Sequence, residues 1–119
     1  MGLHYRELKV WQKAMEMTVE LYHLVPMLPK EETYGMRSQI TRAAVSIPSN
    51  IAEGWTRESN REKKQFLSIA QGSLAEMETQ LTLCEQIGWF QTQQTIKLRT
   101  MMIEVGKMLS SLRNRFRDA

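Results

Sequence analysis

The chain has 119 residues, of which 42% are hydrophobic and 24% charged, with a formal net charge of +3. These values fit one globular domain over 1–119 with a single core, and argue against a disordered chain. No apolar run reaches the roughly 18 residues of a membrane span, and a single cysteine, Cys84, leaves no intrachain disulfide, so a cytoplasmic protein is expected.

Helical periodicity dominates from end to end. The first segment runs from about Glu7 to Leu28 and carries two adjacent apolar seams. One holds Val10, Ala14, Met17, Leu21, Leu24 and Leu28; the other holds Leu8, Trp11, Met15, Tyr22 and Val25. Two seams mean either a deeply buried helix or one whose second seam faces another subunit. Pro26 and Pro29 bracket its end. The second segment, about Tyr34 to Glu58, buries Met36, Ile40, Ala43, Ala44, Ile47 and Ile51.

The third segment begins at Ser59-Asn-Arg-Glu62, a capping box, and ends at Gly88, which suits the left-handed residue after a helix. Between them lies a heptad seam of Leu67, Ala70, Leu74, Met77, Leu81 and Cys84. The fourth segment, about Thr92 to Phe116, repeats the pattern with Leu98, Met102, Val105, Leu109, Leu112 and Phe116. The expected fold is all-α: an antiparallel up-down-up-down four-helix bundle with shallow left-handed crossings.

Catalytic chemistry finds little support. A di-iron site needs Glu-x-x-His on two helices, and only Glu20-Leu-Tyr-His23 is present. Cys84 sits on a core seam, where a thiol packs as a small hydrophobe. The nearest phosphate-type glycine motif, AEGW at 52–55, has one glycine and no Walker or dinucleotide spacing. The chain is therefore expected to be no enzyme, with no metal and no cofactor.

Charge placement is more informative. The bundle end formed by the N-termini of helices one and three and the C-termini of helices two and four holds nine basic against five acidic residues. The candidate nucleic-acid contacts are Arg57, Arg61, Lys63, Lys64, Arg113, Arg115 and Arg117. The arginines of helix four suit its C-terminal dipole. Arg61, Lys63 and Lys64 stand in the first turns of helix three, where the dipole disfavours cations, and this local conflict points to function. The alternative is a plain solvated end.

The stretch RAAVSIPSNIAEGWTR at 42–57 places Pro48 among small and polar side chains. A helix through Pro48 is expected to kink, with the freed carbonyls satisfied by Ser49, Asn50, Ser46 or water. The alternative is a helix broken at Ile47. Arg42, Ala44, Ser46, Pro48, Asn50 and Glu53 form the expected packing or assembly face, and Glu53 and Arg57 an i,i+4 ion pair.

QITRAAVSIPSNIAEGWTR, with LKVWQKAMEM at 8–17, EETYGMRSQ at 31–39 and FLSIAQGSLAEMETQL at 66–81, strongly resembles the four-helix bundle family of bacterial 23S rRNA intervening-sequence proteins. The family is similar to the accessory variability determinant protein of diversity-generating retroelements. The resemblance implies a homopentamer, contact with RNA or DNA, and a reverse transcriptase partner should the chain be retroelement-associated. It brings no catalytic residues. Two functions follow as expectations: a non-enzymatic oligomeric scaffold binding nucleic acid non-specifically through a basic surface, or a protein-interaction module using the second seam of helix one with Trp55, Trp89 and Phe90.

Overall fold

A computed structural model describes residues 4–116 and 118–119. Four α-helices make up the fold: α1 (Lys9–Leu24), α2 (Met36–Trp55), α3 (Asn60–Ile87) and α4 (Thr92–Asn114). The helices lie side by side in an elongated body of 46 × 25 × 23 Å. Cross-helix contacts fix their senses. Ser68 meets Arg113 while Glu85 meets Arg99, so α3 and α4 run in opposite directions. Trp55 meets Lys63 while Ser46 meets Ser73, which makes α2 and α3 antiparallel. Lys13 meets Glu104 while Lys97 meets Glu20, so α1 and α4 are antiparallel too.

The predicted seams form the core. Every α3 seam residue from Leu67 to Cys84 is buried, as are Leu98, Met102, Val105, Leu109 and Leu112 on α4. Helix ends follow local chemistry. The Ser59 hydroxyl accepts the Glu62 N–H at 3.0 Å, and Gly88 adopts φ +96°, letting Trp89 N–H reach the Cys84 carbonyl at 2.9 Å. Phe90 is buried beneath that turn, which removes it from any docking face, while the partly buried Trp89 packs against the core beside it.

Three expectations need correction. The first helix is shorter than its seams: 3-10 turns over Tyr5–Glu7 and Val25–Met27 replace its ends, the second because Pro26 cannot continue the α-helical ladder. Its second seam is not deeply buried as a whole. Leu8 and Val25 are buried, but Met15 and Tyr22 are 41% and 48% exposed, with Val19 beside them. The second helix begins at Met36, whose N–H is capped by Glu32 Oε1 at 2.9 Å, and it ends at Trp55, before the acidic and basic residues that follow.

Pro48 lies inside one unbroken α2. Proline lacks the N–H that would bond the Ala44 carbonyl. A donor reaches that carbonyl from α1: Thr18 Oγ1 stands 3.4 Å from it and 2.8 Å from the Ala14 carbonyl. Asn50, expected to rescue the freed group, instead donates to the Ser46 carbonyl at 2.8 Å and hydroxyl at 2.9 Å. The Ser46 hydroxyl in turn meets Ser73 at 2.8 Å. Ala44 and Pro48 are buried inside the chain. Most of this stretch therefore packs α2 onto α1 and α3; Arg42 and Glu53 remain exposed.

Gly54 explains why α2 and α3 meet so closely at this end. A Cβ there would stand 2.5 Å from Phe66 Cβ, so only glycine fits without a backbone shift. The glycine of AEGW is a packing residue.

Candidate nucleic-acid interface

The predicted basic end exists as one surface. Trp55 at the end of α2 packs edge-on against Phe116 at 6.1 Å, and residues 8–10 lie against Leu112 and Arg115. Yet the seven named cations are not equivalent.

Lys63 is committed within the chain. Its Nζ donates to the Trp55 carbonyl at 2.8 Å and sits 4.9 Å from the Trp55 ring centroid. It thus satisfies an orphan carbonyl at the C-terminus of α2, which supplies the compensation that the sequence hides. Arg57 pairs with Glu53 at 3.6 Å and covers Phe66 at 5.0 Å. Arg113 Nε donates to Ser68 Oγ at 2.7 Å. Lys64 is half-buried and engaged. Arg117 lies outside the described residues. Arg61 and Arg115 are exposed, and their side chains make no ion pair or hydrogen bond among the described residues.

Two lysines join them: Lys9, which the sequence places at this basic end without naming it a contact, and Lys107, which the sequence reading leaves out of it. A groove of about 380 Å³ runs between α1 and α4, lined by Leu8, Val10, Met108 and Leu112 below and Lys9, Lys107, Ser111 and Arg115 around it. Lys9 and Lys107 are exposed and make no side-chain ion pair or hydrogen bond among the described residues. Among the described residues no carboxylate lines the groove. The signal was present in part: Lys107, Ser111 and Arg115 recur at i, i+4 and i+8 beside the core seam of α4. Placing Lys9 opposite them needed the α1–α4 pairing.

Elsewhere the geometry is structural. Glu85 accepts from Arg99 Nε and Nη2 and from the Thr95 hydroxyl at 2.5 Å, and Arg99 Nη2 also reaches Thr82 at 2.9 Å. The Arg99 hydrogen bond holds the Glu85 carboxyl below its usual range. Burial pushes the Cys84 thiol up to about 11, with the charges of Glu32 and Glu85 adding to it, so a nucleophilic thiolate is disfavoured. Glu20, one half of the metal-type pair, meets Lys97 at 3.5 Å. Among the described residues no group of three or more His, Cys, Asp or Glu side chains could hold a metal ion, and no helix is long and apolar enough to cross a membrane.

A bundle of four helices with an end rich in cations is the class that fold and site define. A family model described as 23S rRNA-intervening sequence protein matches residues 6–111, and the chain belongs to that family. A solved structure from Bacteroides thetaiotaomicron, a protein of unknown function from the S23 ribosomal protein family, is similar at 28% identity and a TM-score of 0.80. The alignment covers 87% of this chain and 97% of that one. No curated protein matches the chain.

Proposed function

We propose that this protein is a non-enzymatic, homo-oligomeric scaffold that binds RNA or DNA without sequence preference. The observation carrying this reading is the concentration of cations with no partner among the described residues, Lys9, Arg61, Lys107 and Arg115, on and beside one end of the bundle. Backbone phosphates are the natural target of such a surface, and the absence of a recognition-helix motif argues for non-specific contact. Assembly is supported by the exposed stripe of Met15, Val19 and Tyr22 on α1, and family membership favours a pentamer. Copies arranged in a ring would repeat the basic end and raise the local field. The setting is cytoplasmic; a reverse transcriptase partner belongs to the reading only in a retroelement context.

The same stripe favours the second reading, a protein-interaction module without nucleic acid. It loses Phe90, which is buried. Charge reversal separates the two. Lys9→Glu with Arg61→Glu removes cations whose side chains hold no partner among the described residues, so the oligomer should persist in sedimentation while RNA binding falls at least tenfold. Unchanged RNA binding by the intact oligomer would reject this end as the contact surface.

A further inference from the structure

The α1–α4 groove combines two features that rarely coincide on a solvated helix face. Its floor is apolar, built from Leu8, Val10, Met108 and Leu112, and its polar rim carries Lys9, Lys107 and Arg115 with no carboxylate among the described residues. Cations alone on a rim fit any anion. An apolar floor between them fits an anion that also carries a flat or apolar part. At about 380 Å³ the groove is in the size range that seats small organic groups. Lys107, Ser111 and Arg115 form a rail of about 12 Å along α4, at 1.5 Å rise per residue, with Lys9 on the facing helix. Met108 is half-buried on the floor, and a thioether makes favourable contacts with aromatic rings.

We infer that this groove is a seat for single-stranded nucleic acid, with phosphates along the cationic rim and base faces turned down onto the apolar floor. The inference rests on the nucleic-acid reading above and adds strandedness and place to it. A duplex stacks its base faces internally and has none to offer the floor. It carries the denser charge, however, so it competes well at low salt, where the electrostatic term dominates. The preference for a single strand therefore emerges as salt rises and screening removes that term.

Fluorescence anisotropy with one labelled 12-nucleotide RNA, single-stranded or annealed to its complement, tests this at 50 and 200 mM salt. The proteins are the full chain, Lys107→Glu, and Arg37→Glu, an equal charge change on the exposed start of α2 outside the groove. Lys107 holds no partner among the described residues, so its reversal leaves the fold intact. The expected result is single-strand affinity at least fivefold above duplex at 200 mM. Lys107→Glu should lose at least tenfold on the single strand, and Arg37→Glu less than threefold. Equal affinity for the two forms at 200 mM, or equal losses in the two variants, overturns the groove while the wider function stands. No binding of either form by the unaltered chain overturns both.

Discussion

Gly54→Ala should destabilise the protein, although alanine is the better helix former by about 1 kcal/mol. The new methyl would stand 2.5 Å from Phe66 Cβ, well inside contact distance. Phe66 Cβ is anchored to the α3 backbone and cannot swing away as a side-chain tip would. Relief requires α2 and α3 to separate by about 1 Å, typical of overpacking that costs about 1–3 kcal/mol. Such a shift also strains the Lys63–Trp55 contact beside it. Against the propensity gain, the net expectation is a loss of up to about 2 kcal/mol, or a melting point lower by up to roughly 8 °C. Gly72→Ala is the matched control: this glycine is exposed within α3 and its added Cβ meets nothing within 4 Å. There propensity acts alone, and a gain of about 0.5–1 kcal/mol is expected. Urea unfolding of both variants decides the matter. Stabilisation by Gly54→Ala equal to that of Gly72→Ala would show that no close approach exists at Gly54.

Gln80 is 7% exposed, and its Oε1 accepts no hydrogen bond among the described residues. Gln80→Met should raise stability by about 1 kcal/mol in thermal melts; a loss would mean that an assembled partner donates to it. Glu85, held below its ordinary value of 4.5 by Arg99, contributes stability that is full above that pH and is lost as pH falls through its lower folded value. Glu85→Gln should flatten this acid limb in pH-dependent melts and cost about 1–2 kcal/mol at pH 7. Cys84, buried with a thiol pushed up to about 11, should resist alkylation at pH 8 in the native protein and react in denaturant; rapid native labelling would contradict its placement.

The fold was largely legible because its signals are local. Ser59 and Gly88 mark helix ends through their own backbone needs, and seams repeating every three or four residues report which face is buried. The basic end was legible as a total charge but not in the partners of its individual cations. Lys63 and Lys64 read as unpaid cations in a first turn, yet Lys63 caps the preceding helix, a contact that exists only once α2 and α3 fold back. The Thr18 donor for the Ala44 carbonyl and the Glu85–Arg99 clamp are likewise cross-helix pairings that periodicity does not encode. Lys9 and Lys107 were visible as residues, but their shared groove depends on α1 lying against α4.

The measurement that tests the account most directly is the salt dependence of RNA binding by protein of known oligomeric mass. Each phosphate neutralised on a single strand contributes about −0.7 to the slope of log affinity against log salt. Engagement of Lys9, Lys107 and Arg115 on one protomer predicts a slope near −2, and more when several protomers engage one strand. A slope near zero, or no binding at 50 mM salt, would contradict the proposal that this basic surface is where the protein meets nucleic acid.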